Sequence, residues 1–600
     1  MTREYMKISK GQYLSETEEF KNGTPTNYII FKKLPGVGAT LGECLKYNRN
    51  SIIIEPNVPV LEGKRDAKDA DGNKVYPDIL VVYKTTSTKK ISEYLASNII
   101  PKKILSTPEG MEKVKKAIRD SNFNLYKDFF LLFDECDRLI KDVDYRGNIL
   151  LPMEDFFKFE KKAIISATAI EPSDPRFSQQ NFKILEVTPD FDYQKDIELI
   201  ETNNILFSLK RAINKDGKGK FFIFLNSANL IHILIKRLDI EKESKVFCAH
   251  KSVKRLEKAG FENASSRLRD FAKYNFLTSR NFSAVDIQLD EKPDVIMITD
   301  TLRRSFTMLD PFTDSVQIIG RFRNGINSAT HISNFNEELT YKTPTEALEF
   351  IDDSHRCLHH LNVVKELNSF TEGGAITSKQ AIEGTQINNF VDKDLTLNQY
   401  MVDNFLLEQE IKKKYVFSEN LMDAYEETNS FKVKTRKFWF SIDDRDLLHI
   451  EKNKRSPEAI EVVAKMLFKA CFPSDWQYMK FPDDDLIRKM SPEVTKIFDI
   501  IGYFEMKRLR FDFVSMNKKA KKTEEKLKLK DPEMSKEIRG LYTLNDKPTI
   551  EEARAEMQTV YTKYGLDKKV KGQDFKKFYD ARETTITGNV KAWKITGLKT

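Results

Sequence analysis

Short apolar runs alternate with charged, helix-length stretches from about residue 25 to residue 195. The runs are NYIIF (27–31), SIIIEP (51–56), DILVVYK (78–84), KDFFLLFDE (127–135) and KAIISAT (162–168). Most are nearly continuous rather than alternating, as is typical of strands buried on both faces of a sheet. The pattern predicts an α/β domain built around a mostly parallel sheet.

A second series of the same kind follows from about residue 196 to residue 345. Its runs are GKFFIFLNS (219–227), SKVFCAH (244–250), AVDIQL (284–289), DVIMITD (294–300), DSVQIIG (314–320) and ATHISNF (329–335). The chain is therefore predicted to hold two α/β domains in tandem, over residues 1–195 and 196–368.

The texture changes after the second series. The stretch 369–386 is rich in Gly, Ser and Thr and is predicted to be a linker. Residues 387–530 are predicted to form a helical basic region, in which Phe438-Trp439-Phe440 after KVKTRK indicates either a base-stacking patch or a core strand. Residues 531–600, with a helical pattern followed by two short strands around Gly588-Asn589, predict a winged-helix-like module.

The composition indicates the cellular compartment and the class of binding partner. The sequence has no run of eighteen apolar residues, no apolar signal core near its start, and five scattered cysteines without a CxxC pair. We therefore expect a reduced, cytoplasmic protein without a membrane partner. The net charge is +8, and the segment 517–530 carries seven lysines against two glutamates. This clustering favours a polyanion partner such as nucleic acid, although a lysine-rich helix can also be a solvated face.

One segment has the composition of a phosphate-binding loop. LPGVGAT follows the first apolar run and precedes a predicted helix. The backbone of Gly36, Val37 and Gly38 would converge on phosphate oxygens, and Thr40 would offer its hydroxyl to Mg²⁺. Ala39 stands where such loops carry a lysine, so the cation that meets the outer phosphates is missing. An ordinary glycine turn is the alternative.

Three further motifs each come at the end of an apolar run. In FFLLFDECDRL, Asp134 could hold Mg²⁺ and Glu135 could polarise an attacking water. The hydroxyls of Ser166 and Thr168 in ISAT could bridge this acidic motif to a neighbouring domain. An acidic strand end that faces solvent is the alternative for the acidic motif.

The last motif is VQIIGRFRNG, predicted to end a strand of the second domain with Gln317, Arg321 and Arg323. Guanidinium groups presented across a cleft can stabilise charge on a transferring phosphoryl group. An ordinary basic strand-to-helix turn is the alternative for this segment.

The order of these four motifs resembles that of a superfamily 2 helicase of the DEAD/DEAH-like type, over roughly residues 20–345. The resemblance implies two RecA-like domains that bind ATP and Mg²⁺ between them and grip a nucleic-acid strand across their tops. It further implies nucleic-acid contacts near Pro56, Asn57 and Thr107, and places Asp286 near the ribose or the interdomain water. EPNVPVLEGK and GRFRNG are also similar in style to divergent helicase-like proteins of Bacteroidota phages and mobile elements.

Two departures from the family pattern bear on function. Ala39 replaces the loop lysine, for which Lys32, Lys33 or Lys64 could substitute. The final arginine of the family motif would fall at Asn324, so the resemblance puts the catalytic arginine at Arg321 rather than at Arg323.

These features leave three functions open. The first is an ATP-dependent helicase or translocase, with Asp134, Glu135, Gln317 and Arg321 as its catalytic residues and DNA as the expected strand. The second is a catalytically impaired helicase-like scaffold that binds nucleic acid beside replication or virion proteins. The third is an ATP-binding switch without appreciable turnover, which an engineered lysine-to-alanine trap would resemble.

Overall fold

The computed structural model describes residues 1–69, 71–214, 219–282, 286–367, 371–392, 394–440, 443–452, 454–471 and 484–599. The chain divides into two compact units, Met1–Trp439 and Phe440–Thr600.

The first sheet of unit Met1–Trp439 has eight strands, and all of its strand pairs are parallel. In chain order the strands are β1 Thr2–Ile8, β2 Tyr28–Phe31, β3 Ser51–Ile54, β4 Ile79–Val82, β5 Lys103–Ser106, β6 Phe130–Asp134, β7 Lys161–Ser166 and β8 Lys183–Pro189. Across the sheet the order is β1-β8-β2-β7-β6-β3-β5-β4. Strands β2, β7 and β6 are therefore neighbours, and their carboxyl ends meet at one edge.

Both faces of this sheet are covered, which explains the continuous apolar runs. Ile52 and Ile54 pack into one hydrophobic cluster, whereas Ile53 packs into a second cluster on the opposite face. Phe133 and Leu132 divide in the same way. Because successive side chains of a strand point to opposite faces, a strand buried on both faces needs apolar residues at every position.

Helices connect these strands. They are α1 Ala39–Leu45, α2 Val58–Asp66, α3 Thr88–Ala96, α4 Met111–Arg119, α5 Leu125–Asp128, α6 Arg138–Lys141, α7 Met153–Phe156 and α8 Pro175–Gln179. The predicted α/β domain is confirmed, and β1, β5 and β8 are strands that the sequence patterns did not single out.

The second sheet of the same unit also has eight strands and only parallel pairs. Its strands are β9 Lys195–Thr202, β10 Phe221–Phe224, β11 Ser244–Phe247, β12 Ala264–Ser265, β13 Tyr274–Leu277, β14 Asp294–Thr299, β15 Ser328–Ser333 and β16 Phe431–Phe438. They lie in the order β12-β11-β13-β10-β14-β15-β9-β16. The fold is thus two tandem RecA-like α/β domains, as predicted.

Helices α9 Ile205–Ile213, α10 Ala228–Leu238, α11 His250–Lys258 and α12 Val316–Gly320 belong to this half. The expectation that VQIIG ends a strand is wrong, because a π-helical turn, Pro311–Ser315, leads directly into α12. Ile318, Ile319 and Phe322 pack into the core of the second sheet. Their spacing suits one face of a helix, and this packing overrides the β-preference of Val and Ile.

The predicted strand AVDIQL is also wrong over its described part. Its first two residues lie outside the described residues, and the remainder makes one isolated bridge, between Ile287 and Phe322. Ile287 is buried in the core of the second sheet, so its apolar character serves packing against α12 rather than a strand ladder.

The remainder of unit Met1–Trp439 is α13 Pro344–Leu367, α14 Glu372–Glu383, α15 Gln399–Lys414, α16 Ser418–Glu427 and strand β16. The stretch 369–386 is not simply a linker, because α14 occupies most of it and Thr371 caps this helix by accepting from Gly374 N. The region predicted to be helical supplies β16, which pairs with β9 at the edge of the sheet. The basic segment KVKTRK is therefore itself part of a strand rather than a charged turn before a core strand at Phe438-Trp439-Phe440, and Trp439 is exposed.

Unit Phe440–Thr600 is mainly helical, as predicted. Its helices are α17 Asp444–Lys452, α18 Pro457–Cys471, α19 Asp484–Met490, α20 Pro492–Arg508, α21 Phe513–Lys528, α22 Pro532–Arg539 and α23 Ile550–Lys563. An antiparallel hairpin, β17 Tyr579–Ile586 and β18 Val590–Leu598, turns at Gly588 and Asn589, both with positive φ. The hairpin is confirmed, and the winged-helix class remains a prediction. None of the described helices has the length and apolar character needed to cross a membrane.

Candidate functional site

The loop between β2 and α1 contains two glycines in the left-handed region. Gly36 has φ +85° and Gly38 has φ +82°, conformations that side chains disfavour. The ring of Tyr13 lies against Gly38, since a Cβ added there would be 2.5 Å from Tyr13 Cδ1. The spacing of the sequence motifs gives no indication of this tyrosine.

Ala39 begins α1 and is 5% exposed. It packs in a hydrophobic cluster with Val37, Cys44 and Leu61 and also lines the cavity beside the loop. The position of the missing lysine is therefore occupied by a small, well-packed apolar side chain.

Asp134, at the end of β6, lies next to this loop and is 3% exposed. It accepts hydrogen bonds from Thr40 Oγ1 and from Lys32 Nζ, the latter at 3.0 Å. Burial favours the neutral acid, but Lys32, Lys64 and the Thr40 hydroxyl outweigh this effect and hold the pKa of Asp134 below its ordinary value. Asp134 is thus an anion within the cavity.

The pair of Asp134 and Thr40 fits Mg²⁺, which prefers carboxylate, hydroxyl and water oxygens. Among the described residues, no group of three or more His, Cys, Asp and Glu side chains could hold a metal ion. An ion held by this pair would complete its coordination with water and substrate oxygens, as is usual for Mg²⁺ at phosphate sites.

A second buried ion pair lines the same cavity. Lys64 of α2 contacts Glu55, and the side chains are 18% and 2% exposed. Burial raises the pKa of Glu55 to about 7, against the opposing effect of the Lys64 ammonium.

Unit Met1–Trp439 has two halves, the first sheet with its helices and the second sheet with its helices. Glu135 lies between them. Its backbone has φ +51°, a strained conformation for a residue other than glycine and one that clusters at functional sites. Its carboxylate accepts a hydrogen bond from Gln317 Nε2 at 2.7 Å. It also lies 3.2 Å from Ser166 Oγ, whose single hydrogen it shares with Asp137, at 2.7 Å. Gln317 also donates to Thr168 Oγ1 at 3.0 Å, so the acidic motif, ISAT and α12 form one hydrogen-bonded network.

Arg321 supports this network from the second half. It is 3% exposed and donates to the Gln317 side-chain oxygen at 2.6 Å and to the Gln317 backbone oxygen at 3.0 Å. The arginine therefore fixes the orientation of the Gln317 amide, while its side chain also lines the cavity.

Arg323 lies directly against the loop. A Cβ added at Gly36 would be 2.1 Å from Arg323 Nη1, so the guanidinium lies directly on this glycine, whose φ of +85° disfavours a side chain. Arg323 also pairs with Asp286 at 2.9 Å. The structure thus brings together Gly36, Arg323 and Asp286.

These residues enclose a cavity of about 340 Å³ between the two sheets. Its described lining includes four cations and four carboxylates, namely Lys32, Lys64, Arg321, Arg323, Glu55, Asp134, Glu135 and Asp286. Such a balanced, charged cavity suits a polyanion that arrives with a cation of its own.

The three residues that the resemblance implies as nucleic-acid contacts differ in their exposure. Pro56 is buried. Thr107 is 2% exposed, and its hydroxyl accepts from Gly110 N as the cap of a short 3₁₀ turn. These two side chains serve local structure rather than an exposed surface, so the expectation that Thr107 faces the strand is wrong. Asn57 is half-buried and lines a second cavity.

The second cavity, of about 460 Å³, opens between the two sheets and is strongly basic. Its described lining includes five arginines against one carboxylate, Asp142; the arginines are Arg138, Arg146, Arg255, Arg280 and Arg304. Arg138 is 5% exposed, and its Nε and Nη2 atoms have no hydrogen-bond partner. Arg138 is also paired with Asp142, at 3.2 Å, so it is the excess of arginines over carboxylates in the lining that makes this cavity suited to an anionic ligand.

Sequence analysis did not identify these arginines, although one signal was available. Arg280 follows β13 and Arg304 follows β14, and the carboxyl ends of parallel strands meet at the same edge of a sheet. Once the strands are assigned, basic residues that follow their ends are candidates for a shared site.

No family model and no curated protein matches this chain. Among solved structures, it is similar to S. cerevisiae Dbp5 bound to RNA and ADP BeF3, at 14% identity over 52% of this chain and 79% of that chain, with a TM-score of 0.35. It is also similar to the DEAD-box helicase Mss116 bound to ssRNA and UDP-BeF, at 13% identity over 68% and 90% of the two chains, with a TM-score of 0.36. A DEAD box protein from the hyperthermophile Methanococcus jannaschii is similar at 15% identity over 51% and 82%, with a TM-score of 0.28.

Proposed function

We propose that this chain is an ATP-dependent motor that moves on, or separates, strands of nucleic acid. The observation that carries the proposal is the 2.7 Å hydrogen bond from Gln317 Nε2 to the Glu135 carboxylate. It joins the acidic strand end of one sheet to α12 of the other sheet, at a cavity that also contains a glycine loop and two arginines.

The residues have distinct roles in this proposal. The backbone of residues 36–40 holds the phosphates, and Asp134 with Thr40 would hold Mg²⁺, which supplies neutralising charge at the outer phosphates. Glu135 orients a water and accepts its proton as the water oxygen bonds to the terminal phosphorus. The bond from that phosphorus to the bridging oxygen breaks, and the nucleoside diphosphate leaves with the electron pair.

The second half supplies positive charge to the same reaction. Arg323, beside Gly36, stabilises the charge that develops on the transferring group, while Arg321 acts through Gln317. Gln317 contacts the proposed catalytic base directly, so hydrolysis depends on the approach of the two halves. This dependence allows ATP turnover to drive a change in their separation.

We place the nucleic-acid strand in the basic cavity that contains Arg138, Arg280 and Arg304. We take DNA as the strand. The lysine-rich segment 517–530, most of which forms one helix, α21, favours a polyanion partner and does not itself distinguish DNA from RNA. We further propose that the activity serves DNA replication in a bacterial cytoplasm, for which the similarity in style of EPNVPVLEGK and GRFRNG to phage and mobile-element proteins is the support.

Equilibrium binding of a labelled single-stranded oligonucleotide tests this function. Affinities for DNA and RNA would be measured without nucleotide, with ADP, and with a non-hydrolysable ATP analogue in Mg²⁺. The proposal predicts that the analogue changes the affinity for the strand and that the strand changes the affinity for the analogue by the same factor. An affinity for the strand that is the same with and without nucleotide would instead support the catalytically impaired scaffold, the function that the apolar Ala39 favours.

The arginines of the basic cavity give a specific prediction. Arg255→Ala and Arg304→Ala should weaken binding of single strands to a similar degree for all base sequences. Each should also lower the slope of log affinity against log salt by about 0.7, the value for one lost phosphate contact. Lys89→Ala removes a highly exposed charge outside this cavity and is the matched control. An unchanged salt slope in both arginine variants would exclude this cavity as the strand site.

A further inference from the structure

The absence of a loop lysine raises the question of which cation meets the outer phosphates. Three lysines are close enough in sequence to be considered. Lys33 pairs with Glu186 at 3.2 Å, is 39% exposed and is not among the residues that line the nucleotide cavity. The Lys33 side chain therefore forms a surface ion pair and does not face the nucleotide cavity.

Lys32 and Lys64 both line the cavity, but their partners differ. Lys64 contacts Glu55, which the structure does not connect to a hydroxyl of the loop. Lys32 contacts Asp134, the same carboxylate that Thr40 contacts. The ammonium of Lys32, the Thr40 hydroxyl and Asp134 thus converge at one corner of the cavity, beside the loop backbone.

We infer that Lys32, at the end of β2, supplies the phosphate-binding cation that Ala39 cannot supply. This inference rests on the proposed function and deepens it by naming the residue that recognises the outer phosphates of a nucleoside triphosphate. The usual lysine would stand at position 39, in the helix after the loop, whereas Lys32 stands at the end of the strand before the loop. In both cases the ammonium would lie beside Asp134 and Thr40, the residues that would hold Mg²⁺.

The charges of the site support this assignment. Asp134 is the one hydrogen-bond partner of the Lys32 ammonium within the described part of the chain. An ammonium has three donors, so two remain to meet phosphate oxygens. A Mg²⁺ ion held by Asp134 would neutralise this carboxylate and would leave the charge of Lys32 to the substrate.

The test measures equilibrium binding of a fluorescent ATP analogue and of the corresponding monophosphate, in Mg²⁺, with thermal unfolding as a check on folding. Lys32→Met removes the charge at similar length, and Lys32→Gln removes it while keeping a donor for Asp134. We expect either folded variant to lose about 10- to 100-fold in triphosphate affinity, the range for hydrogen bonds to charged groups, with little change for the monophosphate.

Two controls make the result specific. Lys33→Met should bind the triphosphate as the parent does. Ala39→Lys placed in the Lys32→Met background should recover most of the lost affinity, because Ala39 also lines the cavity and a lysine there would return the charge to the loop.

Parental affinity in Lys32→Met and Lys32→Gln, or a selective loss in Lys64→Met instead, would overturn the assignment while leaving the proposed function intact. If the parent itself neither binds nor hydrolyses the triphosphate, the proposed function fails, and the role of Lys32 fails with it.

Discussion

Replacing Glu135 by glutamine should lower steady-state ATP hydrolysis by about 10²- to 10⁴-fold, the usual contribution of a positioned general base. The carboxylate is half-buried, faces the cavity, accepts from Gln317 and lies 3.2 Å from Ser166 Oγ. Glutamine has nearly the same shape, and its amide oxygen can accept the same hydrogen bond from Gln317. The substitution therefore removes the negative charge and the proton acceptor while retaining the network, so we expect ATP affinity to stay within about threefold of the parent.

Glu112→Gln is a suitable control, because Glu112 is an exposed carboxylate on α4 and is not among the residues that line the cavity. It should leave hydrolysis unchanged. Hydrolysis in Glu135→Gln that equals that of the parent would remove Glu135 from the reaction and with it the proposed role of the acidic motif.

The second large effect is expected at Gly320, which lies against the phosphate loop. A Cβ added there would be 2.4 Å from Cγ of Pro35, in the phosphate loop. The proline ring is stiff, so the loop and α12 must move apart. Overpacking of this kind costs about 1–3 kcal/mol, which corresponds to about 5- to 150-fold in rate if closure limits hydrolysis. We expect Gly320→Ala to lower ATP hydrolysis by that factor.

The melting temperature should change little in Gly320→Ala, since alanine favours a helix over glycine and the core of each sheet is untouched. Gly147→Ala provides the matched control, because a Cβ at Gly147 meets no atom within 4 Å. A Gly320→Ala variant that hydrolyses ATP at the parental rate would show that this close approach is not required for turnover.

The sequence predicted the sheets well because both faces of the central strands are buried. Continuous runs such as SIII and FLLF leave few alternatives to a two-sided strand, and the parallel order follows from the helical stretches between them. The strand predicted over residues 314–320 is wrong because Val316, Ile318 and Ile319 favour strands locally, whereas packing against the second sheet favours a helix. Strand β16 is rich in Lys and Arg because it lies at the edge of its sheet, paired only with β9 among the described strands.

The candidate site was predictable in part for a related reason. Asp134, Glu135 and Ser166 follow strand ends, and neighbouring parallel strands bring their carboxyl ends together. The choice among Lys32, Lys33 and Lys64 depends on side-chain direction, which spacing does not give. The different roles of Arg321 and Arg323 also depend on side-chain direction. Both lie beyond the last residue of α12, on either side of the bridge that Phe322 makes with Ile287, and one points toward Gln317 and the other toward Gly36.

The most direct test of the central claim is steady-state ATP hydrolysis by the purified parent chain across a titration of single-stranded DNA, repeated with RNA and with Glu135→Gln as the background. The account predicts turnover that rises with added strand and that is about 10²- to 10⁴-fold lower in Glu135→Gln. Turnover no greater than that of Glu135→Gln, at every concentration of either strand, would contradict it and leave a nucleic-acid-binding scaffold as the function of this fold.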